Sequence, residues 1–294
     1  MSQLGSRLSL TELDFDSLKS NLIEFLRAQD EFSDYDFEGS ALNILLDVLA
    51  YNTAMTSFQA NMLANEMFLD SSIIRESVVS HAKHLGYTPT SYTAPTAVIS
   101  LTVTPTNGAS SVTVDRDTVF STTVDGETFN FVPDESYVAT ASGNDFVISS
   151  MNLKEGTWYS FSYVVDSNDV QQRFVIPNPQ ADMSTLIIKV MDSVGSSTSD
   201  TYTLSTDINL LTSTSKVYFL QEVEAGSFQI VFGDGVLGKR PKDGNVVLIE
   251  YISTNGPPAN GATTFTLTTP IAGDSSPTIS VTTTANNGSL AETL

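Results

Sequence analysis

The sequence predicts an α+β protein, in which an N-terminal helical bundle domain is followed by one or more mostly antiparallel β-sandwich or barrel domains. Two changes of period carry that reading. From Ser9 to about Tyr87, apolar residues recur at steps of three and four, as on one face of a helix. From about Ala97 onward they alternate with polar residues, as on a half-buried strand. The stretch "GYTPTSYTAPT" (Gly86–Thr96) holds two prolines and a glycine and marks the join. We therefore expect a helical domain over 1–92 and a β-rich domain over 93–294, with a β insertion at about 145–214.

The first helix is expected from about Asp14 to Gln29, capped by Asp14 or Asp16, with Phe15, Leu18, Leu22 and Phe25 on one face. "DEFSDYDFEGS" then supplies a loop, and Ser40 is the expected cap of the next helix. Neither glycine nor proline occurs between Gly39 and Gly86. A helix over Ala41–Leu69 would be roughly 45 Å long. Asp70, Ser71 and Ser72 should interrupt the run, and "IIRESVVSHAKHLG" should close as a further helix that stops at Gly86.

The long helix carries more apolar surface than one partner needs. Ile44, Val48, Tyr51, Met55, Phe58 and Met62 step by four and three, as in a coiled-coil seam. Leu42, Leu45, Leu46 and Leu49 make a second stripe beside it. Spacing alone leaves two arrangements open: both stripes bury within one helical domain, or one of them enters a bundle shared with other chains.

The β region reads as a series of short strands: "AVISLTVT", "TFNFV", "TLIIKVMD", "KVYFLQEV", "SFQIVF" and "NVVLIEYIS". Asn107-Gly108, Asp125-Gly126, Gly143-Asn144 and Asp243-Gly244 are turn signals between such runs. The last stretch, "TTTANNGSLAETL", is polar and carries no expected element.

Composition narrows the function. With 34 acidic and 13 basic residues, the net charge of -21 repels nucleic acid and anionic membrane. Such acidity gives solubility, or electrostatic docking onto a basic partner. No run approaches the roughly 18 apolar residues of a membrane span. The absence of cysteine removes disulfides and thiolate chemistry.

"FGDGVLGKRP" (Phe232–Pro241) has the glycine and lysine spacing of a phosphate-binding loop. Such a loop needs Ser or Thr after the lysine and a helix behind it. Here Arg240 and Pro241 follow, so the stretch is expected to be a turn between strands. His81 and His84 are three apart on a helix, and Asp34, Asp36 and Glu38 alternate in a loop; a surface role is expected for both groups. Asp115 and Asp117 are expected at a turn. Trp158 and Tyr159 could form a sugar platform, against the commoner half-buried strand aromatics. We expect no catalytic residue, cofactor, metal or small-molecule substrate.

Three blocks resemble one family. "FGDGVLGKRPKDGNVVLIEYISTNGPPANG" and "DRDTVFSTTVDGETFNFV" are similar to the β domain of baseplate wedge proteins of contractile-tailed phages, in the broader baseplate J-like family. "DYDFEGSALNILLDVLAYNT" with "NMLANEMFLDSSIIRESVVSHAKHLGYTP" resembles the helical start of the T-even-like wedge proteins. The resemblance implies a structural protein of the virion tail baseplate, assembled in the host cytoplasm and devoid of enzymatic activity. Its partners would be other wedge subunits and further copies of itself, joined in a shared helical bundle, within an inner ring whose rearrangement reaches the tail sheath. The implied partner-binding residues are Ile44, Leu45, Val48, Leu49, Tyr51, Met55, Phe58 and Met62. Proteins of this pattern continue past the β region, so the resemblance leaves open a portion of a longer protein or a short relative. The alternatives are a β-rich adhesin contacting host carbohydrate around Trp158, and a glycoside hydrolase with two convergent carboxylates.

Overall fold

The computed structural model describes residues 14–32, 35–37, 39–169, 172–207, 209–224 and 226–293. The chain divides into two compact units, the first ending at Tyr87 and the second running from Thr88.

The first unit contains α1 (Phe15–Arg27), α2 (Leu42–Glu66) and α3 (Arg75–His84). Residues 9–13, expected to lead into it, lie outside the described residues. Asp14 caps α1, accepting the Ser17 hydroxyl at 2.7 Å and the Ser17 amide at 2.8 Å. These two bonds, the hydroxyl's first, hold the Asp14 carboxyl below its ordinary value. α2 begins without a side-chain cap. Ser40, the expected cap, instead donates its hydroxyl to the Phe37 carbonyl at 3.1 Å. At the other end, Ser71 donates to the Asn65 carbonyl at 2.7 Å and Ser72 to that of Phe68 at 2.6 Å. The helix ends at Glu66, three residues before the expected Leu69, and Ser71 takes the Asn65 carbonyl, one that the last turn leaves without a partner within the helix. Gly86, at φ 78°, provides the left-handed stop after α3.

The second unit begins with β1 (Thr96–Val103), β2 (Thr113–Val114), β3 (Phe120–Val124), β4 (Glu127–Pro133), β5 (Tyr137–Val138), β6 (Thr140–Ser142) and β7 (Asp145–Glu155). There follow β8 (Thr157–Val164), β9 (Phe174–Ile176), β10 (Ala181–Met191), β11 (Ser199–Leu204), β12 (Val217–Glu224), β13 (Ser227–Phe232) and β14 (Val246–Ser253). The last two strands are β15 (Thr266–Leu267) and β16 (Thr278–Asn286). They form two seven-stranded sheets. One has the order β15-β3-β4-β7-β1-β16, with β6 also on β7; the other has the order β8-β14-β10-β11-β12-β13-β9. Pairing is antiparallel except between β11 and β12. A separate pair, β2–β5, adds Val112, Val114 and Ala139 to the core of the first sheet.

Alternation decides which side chains go inside. Along β1 every second residue is buried, so Ala97, Ile99, Leu101 and Val103 enter the first core. Ile188, Val190, Tyr218, Ile230, Val247 and Ile249 belong to the second. The Asp125-Gly126 signal forms the two-residue hairpin between β3 and β4, both residues having positive φ (50° and 89°).

Every strand of the second sheet lies between Thr157 and Ser253. The inserted lobe therefore spans 157–253 instead of 145–214. β7, expected inside the insertion, pairs with β1 from Thr96↔Lys154 to Val103↔Phe146. The chain leaves the first sheet at Gly156, where φ is 125° and a Cβ would approach the Ser253 carbonyl oxygen within 2.1 Å. Residues 88–92, expected with the helices, also belong to the β unit, since the Ser91 hydroxyl accepts the Met183 amide. The polar C-terminal stretch, 282–294, begins inside β16, which pairs with β1. The half-buried Ile279 and Val281 lie in β16 just ahead of that stretch, and the run of exposed threonines at 282–284 concealed the strand's continuation.

Candidate assembly surface on the long helix

α2 is about 37 Å long at 1.5 Å per residue. The side chains it buries, Leu46, Ala50 and Asn61, lie on one side. At about 100° per residue, the seam Ile44, Val48, Tyr51, Met55, Phe58 and Met62 lies roughly opposite. All six are exposed, from 41 % at Met55 and Met62 to 67 % at Ile44. Leu45 and Leu49, about a quarter-turn or more away, are also exposed, at 59 % and 52 %. The second stripe thus splits, since Leu46 is buried while Leu45 and Leu49 are not. On α1, Phe25 points outward as well, at 66 % exposure, although its spacing grouped it with the inner face.

The exposed Asn52 and Gln59 interrupt this surface between the seam and Leu45 and Leu49, and two threonines on the helix bond to its own backbone. Thr53 donates back to the Leu49 carbonyl and Thr56 to that of Asn52, each at 2.8 Å. These local bonds engage the two hydroxyls with the helix's own carbonyls. α2 is anchored to α1 by Lys19 and Asp47, 2.6 Å apart. Spacing alone missed Leu63, Met67, Phe68, Leu69 and Ile73, which extend the apolar surface past the end of the seam. Leu63 was within reach of the sequence: it lies eighteen residues, five whole turns, after Leu45.

The α2–α3 connection is ordered by Glu66. Its carboxylate accepts the Ile73 amide at 3.1 Å and the Ile74 amide at 3.3 Å, and its carbonyl accepts His81 Nε2–H at 2.9 Å. The Ile73 amide is the largest influence holding the Glu66 carboxyl below its ordinary value, with burial opposing it. His81 is therefore turned toward a backbone carbonyl. In the acidic loop, the Asp36 carboxylate accepts the Gly39 amide at 3.3 Å. Asp34 and Glu38 lie outside the described residues.

The glycine stretch is a turn, as expected. Asp234 accepts the Val236 and Leu237 amides at 2.8 and 2.9 Å, and a Cβ on Gly233 would lie 2.4 Å from the Leu237 carbonyl oxygen. The cation that would meet a phosphate, Lys239, is 2.5 Å from Asp200, and the next element is β14. Trp158 is half-buried: Arg116 lies 4.9 Å over its ring, and its indole N–H donates to the Pro133 carbonyl at 3.0 Å. Asp115 and Asp117 are exposed at a turn closed by the Thr118 amide on the Asp115 carbonyl. A small polar cavity of about 220 Å³ lies between β4 and β8, and its one carboxylate, Glu155, is engaged by Thr254 and Asn255.

The comparisons with known proteins agree with this anatomy. Residues 14–87, the span of the three helices, match the family described as baseplate wedge protein gp6-like, helical domain. Over 271 residues the chain is 32 % identical to baseplate wedge protein gp6 of Enterobacteria phage T4. The chain is a relative of the gp6-like baseplate wedge proteins. The alignment covers 85 % of this chain and 40 % of the T4 protein, so the chain spans well under half the length of that relative. It continues through the β unit, where the glycine turn and β14 reside. Kinship with a baseplate component supports a place in the virion tail baseplate for this gp6-like chain.

Proposed function

We propose that this gp6-like chain is a structural, non-catalytic subunit of a phage tail baseplate wedge. It joins other wedge subunits and further copies of itself through the outward side of α2, and with them builds the inner baseplate ring. Rearrangement of that ring passes through the β unit toward sheath contraction. The observation that carries the reading is the continuous apolar face of Ile44, Val48, Tyr51, Met55, Phe58 and Met62, flanked by Leu45 and Leu49, exposed along the whole helix. Apolar faces of this extent on a soluble chain mark sites of association. Covering about 1,500 Å² or more of helix surface would make a lasting interface.

The direct test is Val48→Asp, which places a charge in the middle of the seam. Co-expressed with the wedge subunits of the same phage, the variant should no longer co-purify with them, while its β-type circular dichroism stays unchanged. Retained association would remove Val48 and its neighbours from the interface.

A further inference from the structure

The two β lobes, 157–253 and the remainder of 88–293, are connected by two crossings of the chain. One is Gly156 between β7 and β8, and the other is Thr254–Gly256 after β14. Two crossings alone make a hinge. Three buried carboxylates sit across it. Glu155, at the end of β7 and 1 % exposed, accepts the Thr254 hydroxyl at 2.5 Å, the Asn255 amide at 2.9 Å and the Asn255 side-chain amide at 2.8 Å. Asp182 on β10, fully buried, accepts the Ala94 amide at 3.0 Å and stands 3.4 Å from Lys154, both in the other lobe. Glu250 on β14 takes Arg116 from the other lobe and Lys189, at 3.0 Å, from its own. Arg116 also covers Trp158, whose indole N–H reaches across to Pro133.

The segment 88–95, directly after the helical unit in sequence, is pinned on both sides of this junction. The Thr88 hydroxyl donates to the Leu220 carbonyl at 3.1 Å, and the Ser91 hydroxyl accepts the Met183 amide at 3.0 Å. Toward the first lobe, Thr93 and Ser289 exchange amide–carbonyl bonds at 3.1 Å, and the Glu292 carboxylate accepts the Thr90 amide at 3.0 Å. A buried carboxylate needs its donors, because an unpaired one is costly outside water. Ala94 and Lys154 reach Asp182, and Arg116 reaches Glu250, from the other lobe, and Thr254 and Asn255 reach Glu155 from the crossing. Lys189 and the Ser184 amide stay with their carboxylates inside the 157–253 lobe, so opening the hinge would take donors from all three carboxylates at once without stripping Asp182 or Glu250 bare.

We infer that Glu155, Asp182 and Glu250 lock the two lobes and the 88–95 strap into one rigid arm that opens in a single step. This holds whether or not the chain works in a baseplate wedge. Native-state hydrogen exchange on the full chain tests it without mutation. The amides of Ala94, Met183 and Asn255 should open with the same free energy and the same denaturant dependence. Distinct opening energies for the three would overturn the lock.

Glu155→Gln sharpens the test, because its NH₂ group must face one of three donors. Leaving one buried donor without an acceptor should raise the opening equilibrium about tenfold. Protection of the distant Ala94 and Met183 amides should fall by that factor, and acrylamide quenching of Trp158, the sole tryptophan, should rise. The interior amides of Ile99 and Ile249 should not change. Loss confined to Asn255 and Gly256 would overturn the inference. Asp182→Asn gives the reciprocal reading at Asn255 and Trp158, with a change confined to the Ala94 and Ser184 amides, the latter donated to Asp182 at 2.9 Å, as the contrary result.

Discussion

In the helical unit, Phe37, Leu46 and Ala50 are the buried apolar side chains among the described residues, whereas each sheet of the β unit encloses a core of its own. Both regions are rich in leucine, isoleucine, valine and phenylalanine, so apolar content does not set them apart. Periodicity does. In β1 the apolar residues fall on one face at every second position, and the sheet covers that face completely. In α2 they fall nearly all round the helix, and α1 is one thin neighbour. A helix that is apolar all round is stable only when buried on several sides. The β strands thus cover their apolar faces within the chain, while α2 leaves apolar side chains exposed, which is the contrast that the proposed association would resolve.

Substitutions in the two regions should separate accordingly. Ile249→Ala empties part of the second core, at a site fully buried among Ile188, Val247 and Tyr251. It should lower stability by about 3 kcal/mol, seen as a fall in the urea midpoint of the β transition. Phe58→Ser removes a larger side chain from α2, yet that ring is 55 % exposed. In the isolated chain its cost should stay under about 0.5 kcal/mol, while association with wedge partners is lost. A fall of several kcal/mol in the isolated Phe58→Ser chain would mean that α2 is already covered by its own unit, and the contrast would collapse.

Much of this contrast was legible in the residues. The seam, the serines that follow α2, the Gly86 stop, the Asp125-Gly126 hairpin and the failed phosphate loop all rest on local chemistry, and local chemistry is what a sequence displays. The misses share a different cause. Ser40 has the right type for a cap, but its hydroxyl was drawn back to Phe37 by a turn that spacing does not reveal. β16 pairs with β1 across the chain, and a threonine-rich edge strand looks like a tail until its partner is known. The lobe boundary at Gly156 depends on a close approach to Ser253, almost a hundred residues away. The junction carboxylates were hidden for the same reason: Asp182 and Glu250 look like solvated acids until a partner from the other lobe is placed against them.

The smallest predicted effect concerns the polar bonds at the α2–α3 connection. Glu66 accepts the amides ahead of α3 with both oxygens as a carboxylate and loses one of those acceptors on protonation; its carboxyl is held below the ordinary value of 4.5, chiefly by the Ile73 amide, with the Ser77 hydroxyl assisting against burial. The bound form in the folded chain is therefore the charged one. Its contribution is fully present above 4.5 and is lost as pH falls through the depressed value. Asp14, lowered by Ser17 in the same way, fades in the same direction at the start of α1. Helical ellipticity of the isolated chain should consequently weaken on acidification below about pH 4.5, beginning at the ends of α1 and α3. Glu66→Gln should flatten the part of that profile that belongs to α3, since a neutral amide keeps one carbonyl acceptor and loses the charge. An unchanged profile in that variant would show that the α2–α3 connection is held by Ser71, Ser72 and His81 without help from the carboxylate.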